Sequence, residues 1–317
     1  MLQYEKFISA VAKLSEKPLE CDDDNLFQLG PDYYILGTPA LKVPRSLLLK
    51  FNTYEDMEAL APVWISYLLK RYGGDKGLEA FDHIIIGLSL AFQEHANDLL
   101  DHLYEALNIT ADNYFLCLSQ GSSCKFAYQE YGMDLREASK KNDVKMRNYL
   151  ICDIGFNTID TALIINSSSS AGGRLGAANT GVCNVAMAIV DYIYKTYGIQ
   201  ISTREAQVIV ESGKLQKRGR ELDLTDKVAE FSKEYIKYVL DFLEKNHNQS
   251  LDVIQGIVLC GGGSHIFKKY INDPEVEKEI EKHFSKNFLH IPEFDSEYWN
   301  CVSYLRIAEK LLEEDEK

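Results

Sequence analysis

The chain has 317 residues, 46% of them apolar, with a formal net charge of −14. That composition belongs to a globular protein of one large or two smaller domains, and it excludes a fibrous or fully disordered chain. The acidic balance argues against direct binding to nucleic acid, which draws on a cationic surface to release counterions. No apolar run approaches the roughly 18–20 residues that a membrane-spanning helix needs. The opening "MLQYEKFISAVAKLSEK" lacks the basic-then-apolar layout of a signal peptide, so a cytoplasmic protein is expected. Seven cysteines, with no C-x-x-C pair, give neither a complete disulfide framework nor a metal cluster. Cys117, Cys152 and Cys260 lie within apolar runs, where a thiol behaves as a small hydrophobe.

In chain order, "DYYILGTPAL" (Asp32–Leu41) reads as a short strand running into a turn. "MEALAPVWISYLLKRYGG" carries Leu60, Val63, Trp64, Tyr67, Leu68 and Arg71 at helical spacing, and Gly73 and Gly74 close it. "FDHIIIGLSLAF" (Phe81–Phe92) has the continuous apolar run of a buried strand. A helix "QEHANDLLDHLYEAL" and a strand "YFLCLSQG" follow. The polar, basic stretch Arg136–Asn148 is the best interdomain boundary.

The second half opens on "YLICDIGFNTIDTALII", two apolar runs flanking a polar turn. "SSSSAGG" (Ser167–Gly173) is a loop by composition. "TGVCNVAMAIVDYIYKTYG" reads as a turn into a helix ended by Gly198. Ser202 with Glu205 three positions on has the capping-box pattern. "KLQKRGR" (Lys214–Arg220) reads as a solvated loop. The next helix has Val228, Phe231, Tyr235, Val239 and Phe242 as its inner stripe. Ile257–Cys260 is a strand running into Gly261-Gly262-Gly263 and a helix opening near Ser264. An amphipathic helix, "SEYWNCVSYLRIAEKLLEE", closes the chain.

Two stretches carry chemistry. Around Asp153–Thr158 the sequence fits a plain β-hairpin and equally a phosphate-binding hairpin. In the second case Gly155 lets the backbone approach a phosphate, nearby N–H groups and the Thr158 hydroxyl face it, and Asp153 holds a hydrated divalent ion. A strand, a glycine turn and a helix N-terminus form a nucleotide-edge site, although glycines also serve close helix–strand packing.

Together, a hairpin of form D-x-G-x-x-T-x-D and a later strand–GGG–helix turn resemble the actin / heat-shock chaperone / sugar-kinase superfamily. Within it the chain is most similar to ParM-type plasmid-segregation actins, on "GPDYYILG", "LSQGSS", "NTGVCNVAMAIVD" and "NCVSYLRIAEKL". The resemblance implies an α/β actin-like fold of two domains around a nucleotide cleft. It places residues 1–140 in an N-terminal domain, 149–297 in a C-terminal domain, and 298–317 in a helix packing back on the first. It implies ATP (or GTP) with Mg²⁺ as cofactors. Asp153 would anchor the metal through water, and Gly155, Asn157 and Thr158 would wrap the phosphates. Gly261, Gly262 and Gly263 would pass under the adenosine, with Gly181, Glu211 and Lys214 also contributing to the nucleotide site. Gln120 would orient the attacking water, a role that needs positioning and no strong base. A surface salt pair is an equal reading for Glu211 and Lys214. The implied partners are further copies of the chain, in ATP-dependent filaments that hydrolysis loosens, and a DNA-binding adaptor, with no direct nucleic-acid or membrane contact.

The sequence departs from the family at its start. The first phosphate hairpin, D-x-G-x-x-x-x-K, is absent, and Met1–Leu29 contains no glycine. The resemblance therefore implies either a further N-terminal segment carrying that hairpin or a natural loss of it. Two other functions remain compatible with the residues: a small-molecule kinase on the same fold, and a non-hydrolysing filament or scaffold protein.

Overall fold

A computed structural model of the chain describes residues 10–18, 25–49, 53–110, 115–131, 146–217, 219–292 and 296–315. Most of the boundary expected over Arg136–Asn148, and the acidic Cys21–Asp24, lie outside the described residues. The chain forms two compact units, one of residues 1–86 and 94–117, the other of 87–93 and 118–317.

In the first unit, β1 (Val11–Leu14), β2 (Leu26–Leu29) and β3 (Asp32–Leu36) form an antiparallel sheet with β3 in the centre. Helix α1 (Tyr54–Leu68) starts on a capping box in which the Thr53 side chain accepts from the Asp56 N–H and the Asp56 carboxylate accepts from the Thr53 N–H. It buries Leu60, Val63 and Tyr67 against Val11, Tyr34 and Leu36, while Trp64 and Leu68 pack at the margin. A π-helical turn, Leu69–Gly73, continues it. The expected strand over Phe81–Phe92 is shorter, β4 (Ile84–Leu88), and only Leu88 is buried. Its run of isoleucines faces one partner, β5 (Phe115–Ser119), in a two-stranded sheet, and a 3-10 turn takes over from Leu90. Between them runs α2 (Ala96–Ala106), anchored by buried Leu99 and Leu103.

The second unit is built on a five-stranded mixed sheet. After α3 (Lys125–Tyr131) come β6 (Tyr149–Ile154), β7 (Thr158–Ile165) and β8 (Ser168–Ala178), a continuous antiparallel meander. The serine–glycine run expected as a loop is thus the first half of β8. Its small residues permit close approach: a Cβ on Gly173 would stand 2.4 Å from Leu163 Cβ, and one on Gly176 would stand 2.0 Å from the Ala91 nitrogen. Composition alone reads such glycines as turn formers, yet here they serve packing.

Helix α4 (Cys183–Tyr197) ends on Gly198 in the left-handed conformation. Helix α5 (Thr203–Ser212) begins on the anticipated Ser202–Glu205 capping box. The basic run is no loop but a hairpin of β9 (Lys214–Lys217) and β10 (Arg220–Asp223), turning at Gly219 with φ +73°. Helix α6 (Thr225–Leu251) has a broader buried stripe than expected: Val228, Tyr235 and Val239 are joined by Ile236, Leu240 and Leu243, while Phe231 and Phe242 lie at its margin.

The edge of the sheet comes last in the chain. β11 (Ile257–Cys260) enters parallel to β6 and β12 (Leu289–His290), giving the order β12-β11-β6-β7-β8. Between those strands lie α7 (Ser264–Tyr270) and α8 (Pro274–His283), and α9 (Trp299–Asp315) closes the chain. The main core covers one face of the sheet, with Ile154, Ile159, Leu259 and Phe267 fully buried against α4 and α6 residues. Each such side chain contributes roughly 1.5–3 kcal/mol. The other face holds Tyr149, Ile151, Val258 and Trp299.

Candidate functional site

Strand register assembles the site. Asp153 pairs with Asp160 on β7 and, on its other side, with Cys260 on β11, the residue before the glycine turn. Two stretches distant in sequence are thereby brought to adjacent strand ends. A Cβ on Gly261 would lie 2.2 Å from Asp153 Oδ1 and 2.6 Å from the Ile154 carbonyl, and Gly261 has φ +76°. Only glycine fits there. Gly263 donates its N–H to the Ile154 carbonyl at 2.7 Å, and Gly261 donates to the Ser296 carbonyl at 3.1 Å. Gly262 differs: it is exposed, and a Cβ there meets nothing within 4 Å.

The hairpin turn rests on the segment that precedes α4. Gly155 donates its N–H to the Thr158 carbonyl at 2.9 Å. The Asn157 carbonyl accepts from the Thr180 and Gly181 N–H groups at 3.1 and 3.3 Å, and the Phe156 carbonyl accepts from Cys183 at 2.7 Å. Gly181 fits beneath the turn because a Cβ would stand 2.5 Å from both the Gly155 and Phe156 carbonyl oxygens. Arg204, on α5, lies over the Phe156 ring at 4.4 Å, and burial pulls its guanidinium down to about 10.

Two carboxylates are buried side by side. Asp160 accepts from Ser89 Oγ and the Leu90 N–H at 2.8 Å each, and from Thr158 Oγ1 at 3.1 Å. Burial, reinforced by the charge of Asp153, pushes its acid up to about 7. Burial also raises Asp153, whereas hydrogen bonds from Asn300 and the Gly121 backbone pull it back. Asp153 Oδ2 accepts from Asn300 Nδ2 at 2.6 Å.

Gln120 joins this assembly through the β5 turn. Its N–H donates to the Leu88 carbonyl at 2.8 Å and its side-chain amide to the Gly87 carbonyl at 3.2 Å. The next residue, Gly121, packs against the carboxylate pair: a Cβ there would lie 3.1 Å from Asp160 Cβ and 3.5 Å from Asp153 Cβ. Glu211 and Lys214 stand apart. Lys214 pairs with Glu221 across the β9–β10 hairpin at 2.8 Å, and among the described residues no hydrogen bond or ion pair links Lys214 or Glu211 to the Asp153 hairpin or the glycine turn.

Three participants, Asp160, Ser89 and Asn300, were given no role from the sequence. Asp160 was visible as the final letter of the D-x-G-x-x-T-x-D pattern, two residues past Thr158 and therefore on the same side of β7. Ser89 and Asn300 left no such signal, since a serine after an apolar strand and an asparagine near the start of an amphipathic helix are commonplace.

The profile of the family described as archaeal actin homologue MreB-like, C-terminal, matches residues 151–273, which contain both the hairpin and the glycine turn. No curated protein sequence matches the chain. Solved structures share its fold. The ParM of a 15-stranded filament from Clostridium botulinum is 15% identical, covering 96% of this chain and 92% of that one, with a TM-score of 0.68. The archaeal actin homologue Ta0583 in complex with ADP is 15% identical over the same shares, with a TM-score of 0.61. Bacillus thuringiensis ParM with ATP is 13% identical, covering 96% of this chain and 90% of that one, with a TM-score of 0.56. The fold is the one the sequence resemblance implied. Among the described residues no helix is long and apolar enough to cross a membrane.

Proposed function

This chain is a protein of the actin-like fold, and from that premise we propose that it binds a nucleoside triphosphate with Mg²⁺, assembles with copies of itself, and hydrolyses the nucleotide to loosen the assembly. The observation that carries this reading is the register that sets the Asp153 hairpin beside a glycine turn whose middle member, Gly262, opens onto free space. Gly261 and Gly263 are fixed by packing, so their neighbour offers a backbone surface free of side chain, which suits a nucleoside lying across it.

Among the described residues no group of three or more His, Cys, Asp or Glu side chains is placed to ligate a metal directly. A cation at Asp153 would be held through water, as the sequence resemblance implies. When bound, Mg²⁺ supplies charge neutralisation to the phosphates. The chain's own residues do the rest. Gly155, Asn157 and Thr158 present the hairpin backbone to the phosphates, Gly181 shapes that hairpin from below, and Gln120, tethered by the Gly87 carbonyl, orients the attacking water. Gly261, Gly262 and Gly263 carry the nucleoside, and Glu211 and Lys214, which stand apart from both turns, take no assigned contact with it. The acidic surface favours an adaptor protein between such an assembly and DNA.

The test is sedimentation and light scattering at micromolar protein with a slowly hydrolysed ATP analogue, beside phosphate release. Assembly with nucleotide and not with magnesium alone, abolished by Asp153→Ala in a folded protein, is the expected result. A monomer under every condition that releases phosphate only when a sugar acceptor is added would replace this reading with a kinase.

A further inference from the structure

Asn300 occupies a place that its residue type explains. It follows Trp299, which is 1% exposed and anchors the start of α9 in the second face of the sheet. Its amide nitrogen donates to Asp153 Oδ2 at 2.6 Å, and its amide oxygen accepts from the Gly121 N–H at 3.0 Å and from Cys124 Sγ at 3.1 Å. One planar head thus serves a carboxylate that needs a donor and a backbone turn that needs an acceptor. Asparagine fills both roles at this reach; aspartate lacks the donor, and an apolar residue lacks both.

The groups it joins are those of the nucleotide site. Asp153 is the carboxylate assigned to the hydrated metal, and Gly121 is the residue after Gln120. The same helix is held a second time, where Ser303 Oγ accepts from the Ala127 N–H at 3.1 Å, but that contact touches neither Asp153 nor the Gln120 turn. Asn300 thus touches the site directly and Ser303 does not, which separates a positioning role from a structural one.

We propose that Asn300 is a positioning residue: it fixes the Asp153 carboxylate against the Gln120–Gly121 turn, and so couples the C-terminal helix α9 to the metal–phosphate end of the nucleotide site. The role rests on the nucleotide-binding reading above. Without this donor the Asp153 carboxylate keeps only the Gly121 backbone contact among the described residues, and the Gly121 N–H loses its acceptor on α9. Partners that orient metal-site ligands from behind typically affect metal affinity or activity by about 10–100-fold.

The experiment uses the full chain and three variants: Asn300→Ala, Asn300→Leu, which keeps the shape without either hydrogen bond, and Ser303→Ala. Binding of a fluorescent ATP analogue is titrated against Mg²⁺, turnover is split into kcat and KM, and thermal unfolding is followed in parallel. Both Asn300 variants should require about tenfold or more Mg²⁺ for half-maximal binding and lose kcat by a similar factor. Ser303→Ala should lower the melting temperature while leaving the Mg²⁺ dependence unchanged. If the wild type binds Mg-nucleotide and folded Asn300 variants show the same Mg²⁺ dependence and the same kcat, the positioning role is overturned and the functional reading stands. A wild type that binds no nucleotide overturns the functional reading and this role with it. If the Asn300 variants fail to fold while Ser303→Ala folds, the residue is a structural clamp and the proposal is likewise wrong.

Discussion

The glycine turn permits a within-turn comparison. At Gly261 the backbone has φ +76°, and an added Cβ lands 2.2 Å from Asp153 Oδ1 and 2.6 Å from the Ile154 carbonyl. The left-handed conformation costs a non-glycine residue about 1–2 kcal/mol. Forcing apart a packed neighbour costs typically 1–3 kcal/mol more. Gly261→Ala should therefore lose about 2–5 kcal/mol, a drop of roughly 5–15 °C in melting temperature. One residue on, Gly262 has neither a positive φ nor any atom within 4 Å of a built Cβ. Gly262→Ala should stay within about 0.5 kcal/mol of the parent, and even Gly262→Val should fold. Calorimetry without nucleotide measures the stability, and titration with an ATP analogue measures binding. The expected pattern is a double dissociation: Gly261→Ala is unstable, whereas Gly262→Val melts normally yet binds nucleotide weakly. Equal melting temperatures for Gly261→Ala and Gly262→Ala would refute the packing argument, and normal binding by Gly262→Val would refute the assignment of the open side to the nucleoside.

Asp160 gives a pH signature in metal-free protein. Its acid is pushed up to about 7 by burial and by Asp153, while an unfolded aspartate titrates near about 3.9. The native state then holds a proton that the unfolded chain has released, so this group erodes stability as pH rises from about 4 to about 7, after which the loss is constant. Asp160→Asn should raise the melting temperature relative to wild type by an amount that grows over that window, and a pH-independent difference would show the carboxyl to be unperturbed. At α5, Ser202→Ala removes the acceptor for the Glu205 N–H and should cost about 1 kcal/mol, read by urea unfolding; an unchanged midpoint would mean the cap contributes nothing beyond solvent.

Elements whose determinants are local were legible in the sequence. The Ser202–Glu205 box, the Gly198 stop, the β6–β7 hairpin and β11 all follow from residues within a few positions of one another. What escaped was decided by distant partners. The Ser168–Gly173 stretch is a strand because β7 pairs with it; its Gly173 admits Leu163, and Gly176 farther along β8 admits the Ala91 backbone. The run Ile84–Ile86 is as apolar as a central strand but, among the described residues, pairs with β5 alone and is half-exposed. In the site, the Asp153 hairpin and the glycine turn were readable as separate motifs, and their contact depends on the parallel register of β6 and β11. Asn300 was unreadable because its meaning lies entirely in the groups that α9 brings it to.

The charge balance of the site has a further consequence. Asp153 and Asp160 face one another across paired strands, and their hydrogen-bond donors are all neutral: the Asn300 amide, the Ser89 and Thr158 hydroxyls, and the Gly121 and Leu90 N–H groups. Among the described residues no lysine or arginine is ion-paired or hydrogen-bonded to either carboxylate. Neutral dipoles can hold one buried anion, but two adjacent anions repel strongly at low dielectric, so the second keeps its proton near neutral pH. A polyphosphate approaching this pair meets negative charge that the fold itself leaves uncompensated. In the proposed reading the nucleotide must therefore arrive with its cation, and the affinity for metal-free ATP should fall well below that for Mg-ATP, because what makes the site suitable for a hydrated cation makes it hostile to a bare phosphate.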